Sequence, residues 1–222
     1  MYKFDTHVHT AESSDCANLP AKEMIELYIK AGYSGICVTD HYDKHTFLRR
    51  GSLPWERHID CFLKGYRKAA EAAGSTGFTV LLGAEVKLGD SENDLLLYGL
   101  TERFFYENPK LYDYDFGGFC GHMKKNGILV FQAHPFRPEI SRENPCLLDG
   151  VEILNANPRH NSNNDSACGF AEKNGLLVSA GSDTHRAEDV GRSGILTAKK
   201  INSPGALKAV LTSGGFSIIV PY

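Results

Sequence analysis

Two residue pairs with the same spacing stand near opposite ends of the chain. His7 and His9 follow a strand-like run at residues 2–4, and Asp183 and His185 follow an apolar run much further along. On a β-strand, residues i and i+2 point to the same face. Both side chains of each pair therefore face the same way, as two ligands of one metal ion must. The pairs predict a closed sheet that brings the first and last strands together.

Between these pairs, apolar runs alternate with helical patterns. The sequence predicts strands at residues 2–4, 35–39, 78–82, 95–100, 128–132, 151–155 and 176–180, and short extended segments at 194–198 and 216–220. It predicts helices at about 20–31, 59–73 and 164–173, a helical region over 102–125, and a last helix that begins at Ser203-Pro204. This alternation is typical of βαβ units and of an α/β fold with a parallel sheet.

The candidate ligands lie where the predicted strands end. They are His7, His9, Asp40, His41, Glu85, His134, Asp183 and His185. In a β/α barrel the carboxyl ends of the strands form the rim on which active sites are built. An open doubly wound sheet would place its site at the same ends, but the paired motifs at both termini favour closure. Because there is no linker and no shift of composition, residues 1–222 are predicted to form a single domain.

Charge and composition argue against several classes of protein. A net charge of −3 and a pI near 6.3 give no basic footprint for duplex nucleic acid or an anionic membrane. No apolar run approaches the roughly 20 residues that span a bilayer. The six cysteines form no CxxC pair, and the polar N-terminus does not resemble a signal peptide. We therefore expect reduced thiols, a cytoplasmic location and no obligatory protein partner.

The candidate ligands combine imidazole and carboxylate without thiolate. This set suits catalytic Zn²⁺, Mn²⁺ or Fe rather than a cysteine-rich structural zinc site. The ligands outnumber the three that typically hold a mononuclear catalytic zinc, which favours two or three divalent metal ions. Glu85 could bridge two of them, one oxygen each. Such a cluster suits hydrolysis of a phosphate ester, because the ions convert a bound water to hydroxide near neutral pH and neutralise charge on the phosphoryl group.

Taken in order, the motifs resemble those of the PHP (polymerase and histidinol phosphatase) family. They are His7-x-His9, Asp15, Thr39-Asp40-His41, Gly83-Ala-Glu85, Ala133-His134-Pro135-Phe136 and Gly181-Ser-Asp183-Thr-His185. The resemblance implies a distorted seven-stranded β/α barrel that holds up to three divalent ions. It implies that one ion is bound by His7, His9, Glu85 and Asp183. It further implies that Glu85 and His134 bind a second ion, and that Asp15, His41 and His185 bind a third.

One position departs from the family pattern. Many members carry a further histidine shortly after the acidic ligand, and here Asp94 takes its place. Asp94 can coordinate through oxygen, so the second site either persists with harder ligands or is weakened. Asp15 also has an ordinary interpretation, because an aspartate in a serine-rich loop is commonly a turn or cap residue. Asp5 and Asp40 are candidates for holding a ligand or a water in place.

Three cationic side chains are candidates for binding substrate. Arg137 and Arg186 lie just past strand ends, where a planar guanidinium could bind a phosphoryl group through two hydrogen bonds. Arg159 has the same kind of position with weaker support, and its neighbour His160 could also touch substrate. For each arginine the alternative is an ordinary surface residue.

The leading hypothesis is a metal-dependent phosphoesterase, with Glu85 and Asp183 as the central catalytic carboxylates. Its partner would be a small phosphorylated metabolite, a nucleotide or the end of an oligonucleotide. Histidinol-phosphatase-like activity is an alternative that Asp94 and the short chain disfavour. A metal-dependent amidohydrolase is another, although that class usually adds a carboxylated lysine, and here Lys87 lies beyond Glu85. A non-catalytic metal-binding regulatory module is the third alternative.

Overall fold

The computed structural model describes residues 1–221, which form eleven β-strands and eight α-helices. The strands are β1 (Tyr2–Val8), β2 (Gly35–Val38), β3 (His41–Tyr42), β4 (Thr79–Leu82), β5 (Ala84–Lys87), β6 (Asp94–Tyr98), β7 (Leu129–Gln132), β8 (Gly150–Asn155), β9 (Leu177–Gly181), β10 (Gly194–Thr197) and β11 (Phe216–Ile219). The helices are α1 (Ala21–Lys30), α2 (Lys44–Arg49), α3 (Trp55–Phe62), α4 (Lys64–Ala73), α5 (Glu102–Glu107), α6 (Phe116–Lys125), α7 (Asn164–Asn174) and α8 (Pro204–Ser213).

The strands form two sheets. One has the order β11-β10-β1-β2-β4 and the other the order β3-β5-β6-β7-β8-β9. Most neighbours of the second sheet are parallel, but β6 runs antiparallel to both β5 and β7. The connection from β5 to β6, residues 88–93, is too short for a parallel crossover, which needs a dozen or more residues. The α/β class predicted from the sequence is confirmed, and the predicted parallel pairing is present for part of the strands only.

The two sheets do not join into one closed ladder within residues 1–221. They approach each other where β1 ends, because Val8 forms an isolated parallel bridge with Thr184, just beyond β9. There the His9 N–H donates to the Thr184 carbonyl oxygen at 2.9 Å. On the opposite side the Glu85 N–H donates to the Asp40 carbonyl oxygen at 3.1 Å. The first and last motifs therefore meet, although the seven-stranded barrel is not confirmed.

Helices cover the outer faces of the sheets. The largest apolar cluster packs side chains of α3 to α6 against the six-stranded sheet, and two smaller clusters lie under α1 and α8. The helix predicted over residues 59–73 is divided at Leu63, which is fully buried. None of the helices in residues 1–221 combines the length and the apolar character needed to cross a membrane. With the faces covered, a group of buried polar side chains gathers within the ends of the strands and just beyond them.

Candidate metal centre

The first group of donor atoms forms at the end of β1. His7 and His9 are completely buried, and their Nε2 atoms lie 3.0 Å apart, as expected for residues i and i+2 on one face of a strand. The His7 Nε2 atom lies 3.3 Å from Glu85 Oε1 and 3.4 Å from Asp183 Oδ1. The His9 Nε2 atom lies 3.4 Å from Glu85 Oε2 and 3.3 Å from Asp183 Oδ1. Four side chains from distant parts of the sequence thus converge on one point.

These separations match those between donor atoms that share one metal ion. Two donors that each lie about 2.1 Å from one ion, at an angle of about 90–110°, are themselves about 3.0–3.4 Å apart. All five distances in this group fall in that interval. His7, His9 and Glu85 also form one of the three His and carboxylate groups in the described residues whose donor atoms are close enough to share an ion.

Glu85 connects this group to the residues expected at a second ion. Its Oε1 atom lies 3.1 Å from His134 Nε2, which is 3.9 Å from Asp94 Oδ2. Asp94 opens β6 and is paired across the strands with Lys87. Asp94 therefore lies beside His134, as expected if its carboxylate replaces the histidine that many family members carry. His41, Glu85 and Asp94 form another of the three close groups.

The third group consists of His9, His41 and His185. The pairing of β3 with β5 places His41 opposite Glu85, and the distance from His41 Nδ1 to Glu85 Oε2 is 3.0 Å. The ring centroids of His41 and His185 lie 4.4 Å and 4.3 Å from that of His9. Asp15 does not join this group in residues 1–221. Its carboxylate, 64% exposed, is paired with Arg49 at 2.6 Å.

Several atoms of the centre are consistent with bound cations. Asp94 Oδ1, Asp183 Oδ1 and His134 Nδ1 are buried and have no hydrogen-bond partner within residues 1–221. Buried polar atoms are nearly always satisfied, and a divalent cation would satisfy the two carboxylate oxygens. The imidazole and carboxylate donors are also the types that Zn²⁺, Mn²⁺ and Fe prefer. The residues present therefore fit the metal ions that the ligand pattern implies.

Neighbouring charged groups and burial shift the pKa values of the two histidines of β1. Burial opposes protonation of His7, but the carboxylates of Glu152, Asp183 and Glu85 outweigh it and raise the pKa of His7 well above its usual value. For His9, burial together with the neighbouring His185 and His41 lowers the pKa well below its usual value. The lowered pKa favours the neutral form of His9, which is the form of imidazole that binds metal.

Two residues of the centre hold backbone conformations that are uncommon outside glycine. His134 has φ +29° and Asp183 has φ +51°. Such conformations cost about 1–3 kcal/mol each and persist where surrounding contacts enforce them. The Glu152 carboxylate accepts from the His134 N–H at 3.1 Å, and Arg137 donates to Asp183 Oδ2 at 2.5 Å. These contacts hold both side chains toward the centre.

Glu152 is a member of the site that the sequence motifs did not reveal. It is completely buried on β8, and its Oε1 atom lies 2.9 Å from His7 Nδ1. Its Oε2 atom accepts from the His134 N–H and, at 2.9 Å, from Asn155 Nδ2. By accepting from His7 Nδ1–H, Glu152 orients that ring so that Nε2 points toward the other donors of the centre. A lone glutamate inside an apolar strand was the available signal.

Asp5 and Asp40 hold the loops around the centre. Asp40 accepts from the Thr10 N–H, the Thr10 hydroxyl and the Ser14 hydroxyl, each at 2.7 Å. Asp5 accepts from the Tyr28 hydroxyl at 2.7 Å and from backbone N–H groups. Burial raises the pKa of each carboxyl to about 6, against the opposing effect of these hydrogen bonds. Asp5 thus contacts the backbone of the first pair, as considered from the sequence, whereas Asp40 holds Thr10 and Ser14 and not His41.

A cleft of about 410 Å³ opens beside the donors and collects the candidate substrate-binding residues. Its lining includes Arg137, Arg159, His160 and Arg186. Arg137 also donates to Asn155 Oδ1 at 3.0 Å, which holds it at the edge of the centre. Arg159 forms two hydrogen bonds to Asp189 at 2.7 Å and 2.6 Å, so its guanidinium already has a carboxylate partner.

The fold and the convergent donors define an α/β protein with a candidate multinuclear metal centre. The chain belongs to the PHP family, because the family model of the PHP domain matches residues 5–149. A second family model, described as PHP-associated, matches residues 161–215. No curated protein sequence matches the chain.

Solved structures share the fold at low sequence identity. A two-domain protein from Bacteroides vulgatus, described as containing a predicted PHP-like metal-dependent phosphoesterase, has a TM-score of 0.72 and 16% identity over 99% of this chain and 65% of that one. PsfC from Pseudomonas syringae has a TM-score of 0.69 and 16% identity, over 99% of this chain and 91% of PsfC. The lesion-specific endonuclease PfuEndoQ from Pyrococcus furiosus has a TM-score of 0.63 and 18% identity, over 98% of this chain and 57% of PfuEndoQ. The chain thus spans less than two thirds of the first and third proteins.

Proposed function

We propose that the chain is a metal-dependent phosphoesterase that hydrolyses a small phosphorylated metabolite or a nucleotide with two to three divalent ions. The observation that carries this proposal is the convergence of His7, His9, Glu85 and Asp183, whose donor atoms lie 3.0–3.4 Å apart. Zn²⁺, Mn²⁺ and Fe are the proposed metals. When bound, such ions supply an activated water and neutralise charge on the phosphoryl group.

The geometry of Glu85 supports more than one ion. Its Oε1 atom faces His7 and His134 at 3.3 Å and 3.1 Å, and its Oε2 atom faces His9 and His41 at 3.4 Å and 3.0 Å. Each oxygen therefore has its own pair of imidazole neighbours. Glu85 therefore lies beside the donors of both the first and the second group, as two neighbouring cations would require.

Asp183 and Arg137 together support phosphate binding. Asp183 turns Oδ1 toward His7 and His9 and Oδ2 toward Arg137. Arg137 is thus fixed beside the donors, with its guanidinium lining the cleft. A planar guanidinium binds phosphoryl oxygens through parallel N–H donors. We propose that Arg137 orients the phosphoryl group, while Arg186 and His160 contact the rest of the substrate.

The size of the cleft is suited to a small ligand. A volume of about 410 Å³ lies within the approximate range of 300–1,000 Å³ that is typical of small-molecule sites. The slightly acidic balance of the chain, −3, disfavours a long nucleic acid. A nucleotide or the end of a short oligonucleotide remains within the proposed substrate class.

Lys87 gives a reason to place the amidohydrolase alternative second. The carboxylated lysine of that class bridges metals, but the Lys87 ammonium group is paired with Glu92 at 3.3 Å and lies 3.9 Å from Asp94. Lys87 therefore neutralises acidic neighbours at the edge of the centre. Amide and lactone substrates tested beside phosphate esters would separate the two classes.

The test is a substrate screen with controlled metal content. Protein stripped of metal with a chelator would be resupplied with Zn²⁺, Mn²⁺ or Fe²⁺ and assayed against phosphorylated metabolites, mononucleotides and short oligonucleotides. We expect hydrolysis of a phosphate ester to disappear on stripping and to return with metal. Full activity after verified metal loss, or no hydrolysis of any phosphate ester by the metal-loaded protein, would contradict the proposal.

A substitution separates the role of the centre from nonspecific effects. Asp183→Asn should lower activity by at least about 100-fold, because it removes a central donor rather than an outer partner, whose loss costs about 10–100-fold. The matched control is Asp90→Asn, since Asp90 is exposed in the loop after β5. We expect this control to retain activity.

A further inference from the structure

The turn that follows β9 is built around a buried carboxylate, that of Asp189. Asp189 is 0% exposed and ends a short 3₁₀ turn, Ala187–Asp189. Its Oδ2 atom accepts from the backbone N–H groups of His185 and Arg186, each at 2.9 Å. One carboxylate oxygen therefore holds the backbone of a proposed metal ligand and of a proposed substrate-binding residue.

The carboxylate of Asp189 is itself held by Arg159, which lies in the loop between β8 and α7. Arg159 donates from Nη1 to Asp189 Oδ1 at 2.7 Å and from Nη2 to Asp189 Oδ2 at 2.6 Å. A pair with two parallel hydrogen bonds fixes the orientation of both groups. Because the carboxylate is buried, loss of Arg159 would leave its charge without this cationic partner.

Other contacts hold the same turn from two sides. Asn157, in the same loop as Arg159, donates from Nδ2 to the Asp183 carbonyl oxygen at 3.1 Å. The Asn18 N–H donates to the His185 carbonyl oxygen at 2.9 Å. Asp183 has φ +51°, a conformation that persists where surrounding contacts enforce it. The shape of the turn thus depends on residues that are not themselves metal donors.

The position of Arg159 is compatible with two roles, and its partner favours one of them. Its guanidinium lines the cleft, as that of Arg137 does. Arg137, however, is paired with Asp183, a member of the converging donors, whereas Asp189 belongs to none of the three close donor groups in residues 1–221. To bind a phosphoryl group, Arg159 would have to loosen its bonds to a buried carboxylate, which is costly.

We propose that Asp189 and Arg159 form a clamp that positions His185 and Arg186 in the site, and that Arg159 does not bind substrate. The clamp acts through the backbone N–H groups of the two residues between its ends. The inference rests on the proposed function for what His185 and Arg186 do. The clamp itself can be measured without metal and without substrate.

Hydrogen exchange in metal-free protein tests the clamp directly. We expect the amides of His185 and Arg186 to exchange at least about 10-fold faster in Asp189→Asn and in Arg159→Gln, because a charge-assisted hydrogen bond is weakened. The matched control is Glu188→Gln. Glu188 is the neighbouring carboxylate, 61% exposed and 3.9 Å from Arg159, and its loss should leave this exchange unchanged. Circular dichroism would verify that each variant is folded.

Zinc binding and kinetics separate positioning from substrate binding. The weakest of the bound zinc ions should bind about 10-fold or more weakly in Asp189→Asn and in Arg159→Gln, but not in Glu188→Gln. The double variant should lose no more affinity than the worse single variant, since the two side chains act as one unit. If Arg159 bound substrate instead, Arg159→Gln would raise KM and leave zinc affinity unchanged.

Two results would overturn the inference. One is unchanged exchange of the His185 and Arg186 amides in Asp189→Asn. The other is a raised KM in Arg159→Gln with zinc affinity equal to that of the wild-type protein. A protein whose amide exchange responds as expected, but which hydrolyses no phosphate ester, would instead contradict the proposed function and leave the clamp in place.

Discussion

At the scale of single residues, Glu152 organises the centre without belonging to the converging donors. One of its oxygens faces His7 Nδ1 at 2.9 Å, and the other accepts from the His134 N–H at 3.1 Å. It therefore fixes the tautomer of one proposed ligand and the strained backbone of another. Outer carboxylates of this kind orient a metal-binding imidazole and raise its basicity.

Replacing this carboxylate should weaken metal binding while leaving the fold intact. We expect Glu152→Gln to lower metal affinity by about 10–100-fold, because the amide lacks the negative charge that supports donation from His7. Competition with a chromophoric chelator would measure the affinity. The control is Glu172→Gln on the exposed side of α7, and equal affinity in the two variants would refute this role.

The motif residues could be identified from the sequence, but the conformations of the loops that carry some of them could not. His7, His9, Glu85 and Asp183 were recognisable because each follows a strand-like run of the sequence, in the order of the PHP family motifs. Asp15 lies in the loop after β1, and its carboxylate is paired with Arg49 instead of lying beside the histidines. That pairing joins the loop to α2, a helix that the sequence did not predict.

At the scale of elements, β9 packs closely on β1 because Gly181, at the end of β9, has no side chain. A Cβ atom on Gly181 would lie 2.3 Å from the Cβ atom and 2.9 Å from the backbone nitrogen of His7. The absence of a side chain lets the end of β9 approach β1, so that Asp183 reaches the donors of His7 and His9. Close contact between these strands is therefore a condition for the centre.

A methyl group at this contact should destabilise the protein. We expect Gly181→Ala to lower the free energy of unfolding by about 1–3 kcal/mol, as overpacking of a buried site does. The control is Gly169→Ala in α7, where a Cβ atom meets nothing within 4 Å in the described residues. Alanine there should be neutral or stabilising by up to about 1 kcal/mol. Urea unfolding would measure both, and unchanged stability of Gly181→Ala would contradict the close approach.

The positions of helices and strands could be predicted better than the direction in which each strand pairs with its neighbours. Apolar runs located the main strands, because their periodicity reflects burial. The antiparallel direction of β6 depends on the short loop from β5, and β10 returns antiparallel to β1. Pairing partners are set by tertiary contacts, so closure into seven strands could not be decided from periodicity.

At the scale of the whole molecule, the segments matched by the two family models are interleaved. Residues 161–215 contain β9 and β10, whereas the PHP-domain match covers residues 5–149. β9 continues the six-stranded sheet through β8, which lies between the two matches, β10 extends the other sheet beside β1, and Val8 of the first segment bridges Thr184 of the second. Neither segment completes its sheets alone, which supports the single domain proposed for the chain.

Interleaved sheets should unfold together. We expect one cooperative thermal transition in metal-free protein, with equal calorimetric and van't Hoff enthalpies, because separating the segments would expose strand edges in both sheets. Differential scanning calorimetry makes this comparison. Two resolved transitions would show that the segments fold independently.

The central claim is that distant histidines and carboxylates hold metal ions at one point of the fold. Anomalous diffraction from crystals soaked in Zn²⁺ or Mn²⁺ tests it most directly. The account predicts an anomalous peak about 2.0–2.2 Å from the donors of His7, His9, Glu85 and Asp183, with a second peak beside His134 and Asp94. Well-ordered crystals that show these four side chains apart, with no anomalous density between them, would contradict it.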